Sequence, residues 1–121
     1  QQLGDWKKAV KYYEKVLALN PTDWATLNNM AYMYETMEDY ENAATYIKKL
    51  YESDPGNTEV ISDTVRILLL VGEPENALSA LENFARVALD PENPNADMQI
   101  LISDLYETIY QWNQENGQVT N

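Results

Sequence analysis

Three proline-containing turns recur along the chain at nearly constant intervals. They are Asn20-Pro21, Asp54-Pro55 and Asp90-Pro91, so the interval from one proline to the next is 34 positions (21 to 55) and then 36 positions (55 to 91). Each interval holds two apolar patterns of helical period, separated by a short turn. Self-similarity at such a period is typical of architectures in which stacked helix pairs share a continuous core. The sequence therefore predicts an all-α array of antiparallel helix pairs.

The interval 24–57 shows this pattern most clearly. On its first predicted helix the apolar face comprises Leu27, Met30, Ala31 and Tyr34, and on its second Ala43, Ala44, Ile47 and Leu50. The first set has the spacing i, i+3, i+4 and i+7, which places its members on one side of a helix. Residues 37–40 interrupt the pattern between the two helices, and Asp54-Pro55 closes the unit.

The interval 58–91 repeats the arrangement with different side chains. Its corresponding apolar-face positions are Ile61, Thr64, Val65, Leu68, Ala77, Leu81 and Phe84. Gly72 suits a left-handed turn at the end of the first helix, and Pro74 suits the first turn of the second. Two additional residues precede Pro91, which predicts a second helix longer by about half a turn.

Over residues 4–91 the pattern resembles the tetratricopeptide repeat, in which a large residue, Leu-Gly, Tyr, Ala, an aromatic residue and Pro recur over 34 positions. In residues 24–57 the corresponding positions hold Leu27, Met30-Ala31, Tyr34, Ala43, Ile47 and Pro55. Leu27 and Ile47 depart from the usual Trp and aromatic residue. The resemblance implies a right-handed α-α superhelix, with Ala31 and Ala43 where the two helices approach most closely.

One domain of about two and a half repeats follows from these boundaries. We expect a partial repeat at 1–23, repeats at 24–57 and 58–93, and a C-terminal capping helix at 94–116. The last helix is indicated by Met98, Leu101, Leu105, Ile109 and Trp112. The chain begins in mid-repeat, with a second helix that has no first. Its apolar residues Trp6, Ala9, Tyr13 and Val16 would lack a neighbour on one side unless further repeats or another chain cover them.

The resemblance also implies a protein-protein interaction scaffold, whose first helices line a concave face. The implied partner-binding positions are Asn28, Asn29, Tyr32, Ser62, Asp63, Arg66 and Leu69. Asparagine amides both donate and accept hydrogen bonds, which suits an extended peptide backbone. The alternative interpretation is that Asn28, Asn29 and Ser62 are merely solvated. Some family members hold a C-terminal carboxylate with basic side chains, but Glu59 and Asp63 occupy the positions where such groups would be needed.

Charge favours a basic or neutral protein or peptide as the partner. The formal net charge is −12, and six lysines lie on predicted second helices: Lys7, Lys8, Lys11, Lys15, Lys48 and Lys49. The predicted first helices and last helix carry mainly acids, namely Glu35, Glu59, Asp63, Asp97, Asp104 and Glu107, opposed by Arg66. This distribution predicts an acidic concave face. The same sign of charge repels nucleic acid and anionic lipid, so neither is expected as a partner.

Catalysis and cofactor chemistry are not expected. The chain has no Cys and no His, which excludes Ser-His-Asp and Cys-His arrangements and thiolate metal sites. The carboxylate pairs Glu38/Asp39 and Glu73/Glu75 fall in predicted turns, where acids commonly serve solvation. Residues 90–97 are rich in oxygen ligands but lack the central Gly and distal Glu of a calcium loop. We therefore predict a non-enzyme with no metal and no cofactor.

Neither a signal peptide nor a membrane-spanning segment is predicted, so we expect a soluble chain of undetermined compartment. The longest apolar run, residues 67–71, is far too short to span a bilayer. Its part Leu69-Leu70-Val71 is interpreted as packed core, with a self-association patch as the alternative. The resemblance also continues the groove positions of the first helix to Leu69 and Leu70. A second functional hypothesis stays open: a structural or assembly module that oligomerises, or packs on further repeats, through its ends or its convex face.

Overall fold

The computed structural model describes residues 3–117, and the side chains of residues 5–117. Six α-helices and no strands occur within residues 3–117: α1 (Leu3–Leu19), α2 (Trp24–Thr36), α3 (Tyr40–Ser53), α4 (Thr58–Leu70), α5 (Pro74–Ala88) and α6 (Ala96–Glu115). The predicted all-α repeat fold is confirmed.

Neighbouring helices along the chain pack as successive hairpins. α2 packs on α3 and α4 on α5, and these two pairs are joined by contacts between α3 and α4. α6 closes on the second pair by contacting both α4 and α5, while α1 packs on α2. Contacts are therefore local in sequence, as expected for an array in which each unit is stabilised by its neighbours.

The core is built from equivalent positions of the two successive helix pairs. Leu27 and its equivalent Ile61 are both 0% exposed, and Ile47 and its equivalent Leu81 are 1% and 0% exposed. Leu50 and Phe84 follow the same rule. Full burial of one such side chain contributes about 1.5–3 kcal/mol relative to exposure. The repeated apolar positions thus fix both the pairing of the helices and the stacking of the pairs.

The turns inside the two pairs are also equivalent. Glu38 and Gly72 occupy the same repeat position, and both adopt a left-handed backbone, with φ of 62° and 79°. The second helices begin two residues after these positions. Asp39 caps α3, its side chain accepting a hydrogen bond from the backbone N–H of Asn42, and Pro74 is the first residue of α5. The predicted roles of Gly72 and Pro74 are confirmed.

Three details differ from the sequence expectations. α5 has 15 residues against 14 in α3, so it is longer by one residue rather than by half a turn, and the connector takes the rest. Leu69 is buried, but Leu70 is 48% exposed. The interpretation of Leu70 as packed core is wrong, because no described helix covers it. In α6, Ile102 is buried although the predicted face omitted it.

Within residues 3–117, no helix combines sufficient length with sufficient apolarity to cross a membrane.

Candidate functional site

Helices α2, α4 and α6 contribute to a common surface, which we call the first-helix face. A hollow of about 570 Å³, the α2–α4 hollow, lies between the first two of these helices. α2 lines it with Asn28, Asn29, Tyr32 and Glu35, and α4 with Asp63, Arg66 and Ile67. Its walls are therefore mainly polar side chains that the core does not require.

A second hollow of about 420 Å³, the α4–α6 hollow, lies on the other side of α4. Its apolar walls are formed by Val65, Leu69, Leu70, Leu105 and Trp112. A third hollow of about 410 Å³, the acidic hollow, joins the N-terminal half of α4 to α6 and is lined by Thr58, Glu59, Ser62, Asp63 and Leu101. The first-helix face thus changes from polar to apolar across α4.

Asp63 occupies the centre of this face, since it borders all three hollows. Its Oδ1 accepts a hydrogen bond from Nη2 of Arg66 at 2.9 Å. The other guanidinium nitrogen, Nη1, donates to Glu35 of α2. One cation is therefore shared by two carboxylates, and the ion-pair cluster links two first helices while keeping one negative charge.

The electrostatic environment of Asp63 is unfavourable to its own charge. Burial raises the pKa of this carboxyl above its usual value, and the nearby carboxylate of Glu59 raises it further. A like charge disfavours ionisation, whereas a cation placed beside both groups would stabilise it. Asp63 and Glu59 therefore form a site of concentrated negative charge on this part of the face.

Charge is distributed unequally between the two sets of helices. Within the helix bounds, α2, α4 and α6 carry seven acidic residues and one basic residue, net −6, whereas α1, α3 and α5 carry six acidic and seven basic residues, net +1. Some cations of the second set are also engaged within the fold. Lys48 Nζ lies 3.4 Å from Glu73 Oε1, and Lys49 Nζ lies 5.3 Å from the Tyr46 ring centroid.

The predicted partner-binding residues fall into two neighbouring hollows. Asn28, Asn29, Tyr32, Asp63 and Arg66 share the α2–α4 hollow, whereas Ser62 and Leu69 belong to the α4–α6 hollow together with Asp63 and Arg66. Tyr32 is 69% exposed and Leu69 only 6%. The Ser62 hydroxyl donates to the carbonyl oxygen of Thr58. Leu69 thus forms a wall rather than a freely projecting contact.

Among the residues that sequence reasoning did not assign to these hollows are Glu35, Leu105 and Trp112. From the sequence, Glu35 counts only as one of the acidic residues of the first helices, whereas it lines the α2–α4 hollow. The sequence pattern assigns Leu105 and Trp112 to the apolar, core-facing side of the last helix. In the structure both apolar residues are half-buried and line the α4–α6 hollow. Glu35 is the equivalent of Leu69 in the preceding repeat. Because Leu69 was predicted to bind the partner, a comparison of repeat positions could have placed Glu35 on the same face.

The connector before α6 uses its oxygen atoms internally. Asp90 Oδ1 accepts a hydrogen bond from the backbone N–H of Glu92 at 3.0 Å, and Asn95 Oδ1 accepts one from the N–H of Met98 at the start of α6. These are turn and helix-cap interactions. Among the residues whose structure is described, no three metal-ligating side chains converge.

Comparison with known proteins finds similarity to one repeat family over the N-terminal part of the chain. The model of the tetratricopeptide repeat family matches residues 1–58. The chain is also similar to the general transcriptional corepressor trfA of Dictyostelium discoideum, with 25% identity over 95 residues. The aligned region is 78% of this chain but 7% of that protein. The chain thus spans a small fraction of the relative's length.

Proposed function

We propose that this chain is a protein-interaction scaffold whose first-helix face binds an extended peptide segment. The model of the tetratricopeptide repeat family matches residues 1–58, and one further helix pair, α4–α5, and helix α6 continue the array. Repeats of this family serve as such scaffolds. The Dictyostelium protein is named as a transcriptional corepressor. For this chain we propose only that it binds a protein or peptide.

The observation that carries this proposal is the composition of the α2–α4 hollow. Asn28, Asn29 and Tyr32 line it together, and Asn29 and Tyr32 are exposed. The two amides offer donors and acceptors to a peptide backbone, and the tyrosine adds a flat apolar ring with a hydroxyl group. The three side chains form an arrangement suited to an extended chain.

We propose a basic or neutral peptide as the ligand. Glu35 and Asp63 already share the charge of Arg66, and Glu59 adds a further negative charge near Asp63. An acidic ligand would meet like charge. At physiological salt the field is screened over about 8 Å, so complementary charge contributes more to the association rate and specificity than to affinity.

Panning a random dodecapeptide library displayed on phage tests the proposal without assuming which partner the chain binds. We expect enriched peptides to bind the free chain and to lose about tenfold or more in affinity when Asn29→Ala and Tyr32→Ala are combined, because contacts at the centre of a binding surface dominate its energy. Titration calorimetry measures the affinity, and thermal unfolding verifies the fold.

Tyr12→Ala is the matched control, since Tyr12 is 63% exposed on α1 and lies outside the first-helix face. It should leave the affinity unchanged. The proposal fails if no peptide is enriched, or if the double variant binds as tightly as the unaltered chain.

Self-association is a second candidate function, favoured by a specific feature of α1. Trp6, Ala9, Tyr13 and Val16 are all only half-buried, although the equivalent residues Ala43, Ile47 and Leu50 of α3 are buried. Within its helix bounds α1 has net charge +2, whereas α6 has −4. We therefore propose a second copy, presenting α6, as the occupant of this strip.

Sedimentation velocity over a wide range of protein concentration tests this second candidate. We expect association that weakens as salt rises to about 0.5 M, since the charges involved are exposed and screened. A monomer at every concentration would exclude it.

A further inference from the structure

The α4–α6 hollow has apolar walls that helix packing does not fully use. Leu70 is 48% exposed, and Leu105 and Trp112 are half-buried. Together with the buried side chains of Val65 and Leu69 they enclose about 420 Å³. A concave apolar space of this kind is where a binding surface commonly takes an anchoring side chain of its partner.

Equivalent positions of the two first helices differ in character at this point. Glu35 and Thr36 of α2 are the counterparts, one repeat earlier, of Leu69 and Leu70 of α4. Glu35 and Thr36 are polar and border the α2–α4 hollow, whereas Leu69 and Leu70 are apolar and border the α4–α6 hollow. The apolar character therefore belongs to one hollow and is not a general property of the face.

Acidic groups adjoin the apolar hollow directly. Asp63 lines both the α4–α6 hollow and the acidic hollow, which also contains Glu59. Arg66, hydrogen-bonded to Asp63, borders the α4–α6 hollow as well. Within their bounds, α4 and α6 carry six acidic residues and one basic residue, net −5. Because the charge of Arg66 is already shared by Glu35 and Asp63, a ligand that fills the apolar hollow still lies near net negative charge on the same two helices.

The spacing along α4 sets the distance between the two parts of the ligand. Asp63 and Leu70 are seven residues apart, which corresponds to about 10 Å along a helix. An extended peptide covers about 3.3 Å per residue. A ligand that contacts both residues while running along α4 therefore needs its two contacting side chains about three residues apart.

We propose that the α4–α6 hollow is the specificity pocket of the first-helix face, and that it binds a bulky apolar side chain of a peptide carrying Lys or Arg about three residues away, next to Asp63 and Glu59. This inference rests on the proposed peptide-binding function and names the class of ligand. It assigns the apolar contact to Leu70, Leu105 and Trp112.

The same dodecapeptide phage library tests the pocket, with Leu70→Asp as the diagnostic variant. Leu70 is largely outside the core, so the variant should fold, while the new carboxylate makes the hollow unfavourable for an apolar side chain. We expect peptides enriched on the unaltered chain to combine Leu, Ile, Phe or Trp with Lys or Arg about three residues away, and to lose about tenfold or more in affinity for Leu70→Asp. Leu70→Met should retain binding, since it keeps the hollow apolar.

Val87→Asp provides a matched control. Val87 is 53% exposed on α5 and lies outside the three hollows, so the same change of charge there should leave the affinity unaltered. Circular dichroism and the melting temperature of each variant separate loss of binding from loss of fold.

The outcomes distinguish the pocket from the general function. If peptides are enriched and depend on Asn29 and Tyr32 but bind Leu70→Asp normally, the pocket assignment is overturned and the proposed function stands. If no peptide is enriched, the proposed function fails and the pocket assignment with it. Enrichment of apolar residues without an accompanying Lys or Arg would overturn the role of Asp63 and Glu59. If the free chain self-associates and Leu70→Asp abolishes this, the occupant is a second copy rather than a foreign peptide.

Discussion

The helix pairs α2–α3 and α4–α5 have equivalent cores but different exposed surfaces. Leu27 and its equivalent Ile61, like Ile47 and its equivalent Leu81, are almost completely buried. On the first-helix face the equivalent residues change in kind: Asn29 corresponds to Asp63, Tyr32 to Arg66 and Thr36 to Leu70. Packing restricts the first group to apolar side chains, whereas nothing in the core dictates the second. The residues that define the hollows are therefore those that the fold leaves free.

Truncation of the largest core side chains should have the greatest effect on both pairs. Phe84→Ala should lower the free energy of unfolding by about 3–5 kcal/mol, and Leu50→Ala at the equivalent position by about 2–5 kcal/mol, because each leaves a cavity at a fully buried site. Urea denaturation followed by circular dichroism measures both values. Val87→Ala, at an exposed site, should change stability by less than about 0.5 kcal/mol. A loss no larger than this for Phe84→Ala would show that the second pair does not pack as described.

Inserting a larger side chain at Ala31 should cause the next largest loss of stability. It should show that helices pack more closely at this position of the α2–α3 pair than at the equivalent Val65 of the α4–α5 pair. Ala31 is 2% exposed, and its equivalent in the second pair is the larger Val65. Ala31→Leu should cost about 1–3 kcal/mol, because the added atoms must displace a neighbouring helix. The matched substitution Ala25→Leu, at an exposed position of the same helix, should cost little. Equal costs at the two sites in urea denaturation would contradict the close approach at Ala31.

Substitutions in the turns inside the two helix pairs should change stability less, and in opposite directions. Gly72 and Glu38 share a left-handed backbone, but a side chain is strained in it by about 1–2 kcal/mol. Gly72→Ala should therefore destabilise the chain by about 1 kcal/mol, although an added Cβ would meet no atom within 4 Å. Glu38→Gly should stabilise it by a few tenths of a kcal/mol, since relief of strain is partly offset by a more flexible unfolded chain.

Gly56→Ala is the control for these turn substitutions. An added Cβ there would lie in ordinary contact with Val87 Cγ1 at 3.6 Å, and no left-handed backbone is involved. It should be neutral or slightly stabilising. Thermal unfolding of the three variants gives the comparison, and a destabilising Glu38→Gly would show that the side chain of Glu38 contributes more than its backbone strain costs.

The helix pairs were predictable from the sequence because packing imposes a period. Spacing alone indicated the helices around Leu27 and Ala43, and turn chemistry indicated Gly72 and Pro74. The exposure of Leu70 contradicts its interpretation as packed core but agrees with its groove position by resemblance. The walls beside Leu70 were not predictable, because they depend on how far α6 covers α4. The contact of Arg66 with Glu35 likewise joins residues 31 positions apart, and no local pattern specifies such a pair. The partner-binding positions follow from the family resemblance and stay predictions, whereas the walls that α6 supplies to the hollow required the packed structure.

Asp63→Asn should have the smallest effect on stability, and it makes the second pair resemble the first, where Asn29 is the equivalent residue. The native pKa of Asp63 is raised by burial and by Glu59, so the folded chain binds this proton more tightly than the unfolded chain. Stability contributed by Asp63 is therefore gained as pH falls through its raised pKa and is absent at neutral pH. Near pH 7 the variant should be as stable as the unaltered chain or slightly more so, and any advantage should disappear on acidification.

Melting temperatures across the acidic range, with Glu82→Gln as a control for loss of one negative charge on α5, measure this effect. The side chain of Asp63 is 42% exposed, so solvent screening keeps the difference small. The result that would contradict the comparison is a clear loss of stability at neutral pH for Asp63→Asn but not for Glu82→Gln. The hydrogen bond from Arg66 would then outweigh the repulsion from Glu59, and the carboxylate would belong to the fold rather than to the surface that the two pairs use differently. If stability is retained while affinity for a basic peptide falls, the difference between Asn29 and Asp63 concerns binding and not folding.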